Sequence, residues 1–311
     1  MCIGAHVSID GGLEQAVVRA VAIGAECLQM FISPPQSWRS PSHSAEAVAA
    51  FRTRRQAEGI TPVFLHSIYL INLASASPAL RERSQRSLVT YLDWAQRLGV
   101  DGVITHLGSA RDLGAEEAAR LVVEALGSVL SQAPGDVPLL LETTAGPGMV
   151  LGSTFAELGA VIAALGRPER LRLCLDTAHV FASGLYDGTP AGLESMLSVC
   201  AAEVGLDRLA VVHLNDSRSA FASRVDRHAN IGEGQLGRAG LRPFFHHPAL
   251  SHLPFLLEVP GREREGPSRS DIAAARSLAQ GEDVPEGHEP RMDPGAGFMR
   301  SRSCPSPPRG L

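Results

Sequence analysis

The chain has 311 residues, 44% of them hydrophobic and 20% charged, which places it among water-soluble globular proteins with room for one large domain. No apolar run reaches the ~18 residues of a membrane span, and MCIGAHVSIDGG has no basic segment before an apolar one, so neither a membrane protein nor a signal peptide is expected. All 28 basic residues are arginine, which excludes a Schiff-base or P-loop lysine, and the formal net charge of -5 is not the basic footprint usual in nucleic-acid binders.

The N-terminal CIGAHV (2–7) is the first of eight short apolar runs. ECLQMFI (26–32), PVFLHS (62–67), DGVITH (101–106), VPLLLET (137–143), RLCLDT (172–177), LAVVHLND (209–216) and PFLLEV (254–259) follow. They are apolar on both faces, as buried parallel strands are. The segments 45–59, 79–99 and 116–133 carry apolar residues at the three-to-four spacing of helices, and 268–279 offers a closing helix. Eight strand–helix units with no dinucleotide fingerprint predict an α/β (β/α)₈ barrel over 1–279 rather than a doubly wound sheet. Residues 280–311 are rich in Pro, Gly, Ser and charge and read as a disordered tail. The five cysteines are scattered without a CxxC pair, so a reducing cytoplasm is expected, without disulfides or a cysteine zinc knuckle.

The polar residues of these runs gather at one end. His66, His106, Glu142, Asp176, His213 and Glu258 close six successive strands. His179 follows Asp176 by one helical turn, and Asp226 and His228 sit one residue apart in SRVDRHANIGEG, where an extended chain points both the same way. A single His or Glu at a strand end is more often a hydrogen-bonded structural residue or a helix cap. Six in succession on the C-terminal face, where barrel active sites lie, are not explained that way, and burying four carboxylates together without cations is very costly. Five imidazoles and four carboxylates without thiolate suit zinc, with manganese or iron as alternatives, and nine donors with one bridging carboxylate could hold three ions. Three divalent ions would bring the net charge to about +1, concentrated at the site. His6 faces the same mouth, in a role beside the ligands or toward substrate. His43, His246, His247, His252 and His288 are assigned to the surface, Gly232 and Gly234 to turns, and Asn215–Asp216 to shaping the loop.

IGAHVSIDGG, LHSIYLINLAS, LETTAGPGMVLG, CLDTAHVFASGLYD, HLNDSRSAFASRVDRHANIGEG and LLEVPG closely resemble the endonuclease IV family over about residues 2–279. The resemblance implies three zinc ions per chain. His66 and His106 would hold one, with Glu142 bridging to a second held by Asp176, His213 and Glu258; His179, Asp226 and His228 would hold the third. It implies hydrolysis of the phosphodiester 5′ to abasic sites in duplex DNA, leaving a 3′-hydroxyl and a 5′-deoxyribose phosphate, and repair of blocked 3′ ends. Metal ions held there would supply a nucleophile at neutral pH, and the resemblance implies Glu142 and Glu258 as the catalytic carboxylates. Tyr69 and Leu70 match positions that wedge into DNA where the abasic nucleotide is flipped out. Gln36 stands where well-studied members carry arginine, and Arg39 is near enough to compensate. His6 completes the expected DNA contacts, and a monomer is expected. A metal-dependent sugar isomerase or epimerase on a related barrel is the alternative, against which nine ligands and no lysine count. A DNA-binding relative without catalysis should have lost ligands.

Overall fold

The structure, a computed structural model, describes residues 1–281 apart from 112. The expected disordered tail therefore lies, from residue 282 on, outside the described residues. Eight parallel strands close into a barrel: β1 (Cys2–His6), β2 (Leu28–Met30), β3 (Val63–His66), β4 (Gly102–Thr105), β5 (Leu139–Glu142), β6 (Leu171–Asp176), β7 (Leu209–His213) and β10 (Pro254–Leu257), with β10 pairing to both β7 and β1. Two short antiparallel strands, β8 (Asp216–Ser217) and β9 (His228–Ala229), form a ladder inside the loop between β7 and β10. The expected eight-stranded barrel is therefore the observed one, and each apolar run carries one barrel strand, β6 starting one residue before its run.

Helices α1 (Leu13–Ile23), α2 (Ala45–Ala57), α3 (Pro78–Leu98), α4 (Ala115–Gln132), α5 (Phe155–Ala164), α6 (Thr177–Ser183), α7 (Pro190–Glu203), α8 (Gly237–His246) and α9 (Arg269–Ala279) cover the outside. Their starts are written in the sequence. Ser44 caps α2, Ser77 followed by Pro78 opens α3, and the Thr154–Glu157 capping box starts α5. None of the described helices is long and apolar enough to cross a membrane.

The strands' two faces are both buried, for different reasons. Leu65, Val103, Leu141, Leu173, Val212 and Leu257 belong to the main core between barrel and helices. Cys27, Phe64, Ile104, Leu140, Cys174, Val211 and Leu256, one from each of seven apolar runs, form a separate apolar layer inside the barrel. In β1 the corresponding place falls to Gly4, where a Cβ would sit 1.8 Å from the Cys27 carbonyl oxygen, so no side chain fits.

Two residues further along each run, on the same inward face, stand His6, Gln29, His66, His106, Glu142, Asp176, His213 and Glu258. The barrel thus lays one polar ring directly on one apolar ring. The period of two fixes which residues face inward, and the register staggers neighbouring strands, so that His66 stands beside Ile104 and Glu142 beside Cys174 while Asp176 is level with His213.

Candidate metal centre

Glu142 lies at the middle of the polar ring, 1% exposed. Its Oε2 is 3.1 Å from His66 Nε2 and 3.4 Å from His106 Nε2, while its Oε1 is 3.0 Å from His213 Nδ1 and 3.5 Å from His179 Nδ1. One carboxylate oxygen faces His66 and His106 and the other faces His213, which is the disposition of a bridge. Glu258 Oε2 approaches His213 Nδ1 at 3.1 Å, and Asp176 Oδ2 stands 3.9 Å from the same nitrogen.

Asp176 is also the N-cap of α6: its Oδ1 accepts the His179 backbone N–H at 2.8 Å. That cap turns the chain into a helix at once and swings His179 into the mouth one turn on. From the other side, Asp226 Oδ2 lies 3.2 Å from His179 Nε2, and its Oδ1 lies 3.3 Å from His228 Nε2. The two-residue β9 holds His228 in extended backbone, as the Asp226–His228 spacing requires.

The donors fall into three groups whose ligand atoms lie within 4.8 Å of one another: His66, His106 and Glu142; Glu142, Asp176, His213 and Glu258; and Asp176, His179 and His228, to which Asp226 is adjacent. Four of the five imidazoles have their second ring nitrogen pinned, and only His106 Nδ1 is left without a partner among the described residues. His66 Nδ1 meets Ser67 O at 2.7 Å, His179 Nδ1 meets Thr143 O at 2.8 Å, His213 Nε2 meets Gln29 Oε1 at 2.8 Å, and His228 Nδ1 meets Glu258 O at 3.3 Å. An imidazole that donates outward keeps an unprotonated nitrogen for a cation, the arrangement usual behind metal-ligating histidines. His228 Nε2, aimed inward, is buried without a hydrogen-bond partner. These residues fit divalent metal ions.

The electrostatics agree. Burial opposes ionisation of Glu142, yet His106 and His213 outweigh it and hold its carboxyl well below the usual range; the same contest, won mainly by His213, lowers Glu258. Burial likewise opposes charge on His179, but Asp176 and Asp226 push it up to about 10. The cluster favours positive charge at its centre. Cys174 sits just below, near Glu142 and His213, with its thiol pushed up to about 12 by burial.

All nine expected ligands therefore converge. His106 and Glu258 lie one residue past the regular ends of β4 and β10, still on the inward face. His6 is beside the ligands rather than apart from them: its Nδ1 is 3.3 Å from Glu258 Oε1 and 2.8 Å from Gln29 Nε2.

Tyr69 is 58% exposed, with its ring edge-on to Phe31 and 5.9 Å from that of His66, so it stands over the cluster. Leu70 is half-buried against the core, and Gln36 and Arg39 are exposed. Arg39, Tyr69, His228 and Glu258 line a groove of about 840 Å³ that opens from the centre. His43, expected at the surface, is instead half-buried, its Nε2 2.9 Å from Ile32 O and its ring edge-on to Trp94; it fastens the loop after β2 to α3.

Two positioning residues escape a search for ligands. Gln29 donates to Glu258 Oε1 at 2.5 Å while its Oε1 holds His213. Asn215 donates to Asp176 Oδ2 at 2.6 Å and accepts the Glu258 backbone N–H at 2.8 Å. Only Asp216 of the Asn215–Asp216 pair shapes the loop: its carboxylate takes backbone N–H groups of Ser217, Gly232, Gly234, Leu236 and Gly237. The second glycine is steric, because a Cβ on Gly234 would fall 2.4 Å from Asp216 Oδ1. Asn215→Ala is expected to weaken metal retention roughly 10- to 100-fold, read by competition with a chromogenic chelator, since such outer partners typically carry that much. Retention equal to the wild type would remove Asn215 from this role.

A sequence profile of the xylose isomerase-like TIM barrel family matches residues 17–278. A protein of Chloroflexus aurantiacus named "Probable endonuclease 4" is 37% identical over 279 residues, covering 89% of this chain and 98% of its own length. One of the same name from Natronomonas pharaonis is 40% identical over 258 residues, covering 83% of this chain and 91% of its own. Among solved structures, endonuclease IV from Thermus thermophilus superposes with a TM-score of 0.80 at 36% identity, covering 91% of this chain and all of that one.

Proposed function

Because the chain belongs to the endonuclease IV family, we propose that it is a DNA-repair hydrolase that cuts the phosphodiester on the 5′ side of abasic sites in duplex DNA. The products are a 3′-hydroxyl and a 5′-deoxyribose phosphate, and the same centre removes blocking groups from 3′ ends. The observation that carries the reading is Glu142, one buried carboxylate whose two oxygens serve two separate sets of ligands. Three zinc ions would be held by His66, His106 and Glu142; by Glu142, Asp176, His213 and Glu258; and by His179, Asp226 and His228, with manganese or iron an option at individual positions. Bound there, they supply Lewis-acid charge and a nucleophile competent at neutral pH.

The chain's own residues divide the remaining work. Both carboxylates are engaged by neighbouring side chains, but Glu142 is 1% exposed while Glu258 is 18% exposed at its side chain and lines the groove, so Glu258 is the one more open to attacking water. Glu142 holds the cluster together. Gln29 and His6 fix the Glu258 head group at Oε1. Tyr69 presents an aromatic face beside the cluster, suited to the gap left by a displaced nucleotide. With no lysine in the chain, cleavage through a lysine Schiff base is closed, and hydrolysis remains.

A 5′-labelled duplex with one abasic site tests the reading. The product should co-migrate with a 3′-hydroxyl marker and prime a polymerase without further processing. An unsaturated-aldehyde end would mean β-elimination and contradict it. Tyr69→Ala should weaken binding of the abasic duplex roughly tenfold, by analogy with the loss of one aromatic–base stack, with metal content unchanged. Equal losses of metal and of binding would place Tyr69 in the metal centre instead.

A further inference from the structure

A second cavity, of about 270 Å³, lies between the loop after β2 and helix α3. Arg39, Arg83 and Arg86 line it together with the hydroxyl residues Ser40, Ser87 and Thr90. It shares Ser33, Arg39, Ser40 and Pro41 with the groove that reaches Glu258 and His228, so the two lie side by side.

The arginines here are not used by the fold. Among the described residues no carboxylate pairs with Arg39 or Arg83, both exposed. Arg86 pairs with Glu82, an exposed partner one turn earlier, and such pairs contribute little. Nearby Arg81 contrasts with them, because its guanidinium donates to the carbonyls of Ser75 and Ala76. Arg83 is held in place all the same: its guanidinium carbon stands 4.8 Å over the Trp38 ring. A comparable stack, Arg97 on Trp94, includes a carboxylate, Asp93, at 4.0 Å. A stacked guanidinium keeps its edge donors free and loses little entropy on binding, which suits a planar fork to an oxyanion.

We propose that this cavity is a phosphate subsite, taking a backbone phosphodiester of the duplex outside the lesion. Arg83 and Arg86, one turn apart on α3, supply the charge, with the Ser87 and Thr90 hydroxyls beside them. The inference rests on the endonuclease reading for its ligand, and it explains how a chain of net charge -5 grips DNA: its positive charge is concentrated in the groove wall.

The test compares the zinc-loaded wild type with Arg83→Gln, Arg86→Gln and the double variant. Affinity for an undamaged duplex is measured against salt, and incision of an abasic duplex at saturation. Arg86→Gln leaves the Arg83–Trp38 stack in place and so controls for altered folding. The double variant should bind roughly tenfold more weakly, with a log–log salt slope smaller by about 1 for each phosphate no longer neutralised. Its kcat should be unchanged, and the defect should vanish on a duplex trimmed on one side of the lesion and persist on one trimmed on the other. An unchanged slope, or the same defect on both trimmed duplexes, would overturn the subsite. Failure of the wild type to incise would count against the endonuclease reading alone, because the salt slope decides the cavity independently.

Discussion

Glu142→Gln is expected to reduce incision at saturating abasic duplex by about 10²- to 10³-fold, the scale on which loss of one preorganised charge-stabilising group acts. The substitution keeps size and shape but replaces one oxygen by an N–H donor. Either the set of His66 and His106 or the set of Asp176, His213 and Glu258 then meets a group that repels a cation. Because Glu142 is shared between two ligand sets, its loss should release more than one ion per chain, measured by elemental analysis of the purified variant. The barrel should persist, since the apolar ring of Phe64, Ile104, Leu140 and Cys174 beneath it is untouched; circular dichroism checks this. His106→Ala should also stop cutting, but with loss of fewer ions, because His106 serves only one set. Glu142→Gln with wild-type turnover would end the assignment.

The second large effect concerns pH. In the metal-free protein His179 is raised from 6.5 to about 10 and Asp226 is lowered from 3.8 to about 2. A raised imidazole stabilises the fold fully below its unfolded value and loses that contribution as pH climbs through the folded one. A depressed carboxylate contributes above its unfolded value and loses that contribution only as pH falls toward the folded one. Burial opposes charge on His213 and His66, but Cys174 and then Glu258 raise the first and Glu142 raises the second, so both act with His179. His6 and His106, lowered first by burial, have their effect below 6.5. Because the lowered His6 and His106 cost stability as pH falls below 6.5, metal-free protein should be most stable near the upper end of the window between about pH 4 and 6.5, its Tm falling roughly 5 °C or more between pH 7 and pH 10.

Zinc-loaded protein should show the opposite trend over neutral pH, because binding expels the same protons and strengthens as pH rises. Calorimetry of both forms across that range tests it. Parallel slopes for the two would mean that the imidazoles are not the groups exchanged for metal.

The barrel and all nine donors can be read from the chain for a common reason. A buried parallel strand tolerates few polar side chains, so a polar residue closing an apolar run stands out, and a TIM barrel brings successive run ends to one face. The same logic extended one step finds Gln29 and Asn215. Gln29 follows Cys27 by two residues, and Asn215 follows His213 by two, so each shares the inward face of its ligand neighbours. A search for ligands passes over them because an amide is not a metal donor of choice, though it is well suited to orient one. His43 escapes for a different reason: its burial comes from Ile32 and Trp94, eleven and fifty-one residues away, which no local pattern reveals. The arginine-lined cavity is equally invisible in the chain, since Trp38 and Arg83 meet only through folding.

A zinc titration of fully chelated protein, following bound metal and abasic-site incision in the same sample, tests the metal assignment most directly. Incision should return only as bound zinc approaches about three ions per chain, the number that nine donors and one bridge can hold, and the product should carry a 3′-hydroxyl. Full activity with a single bound ion, or none with every ligand group filled, would contradict it.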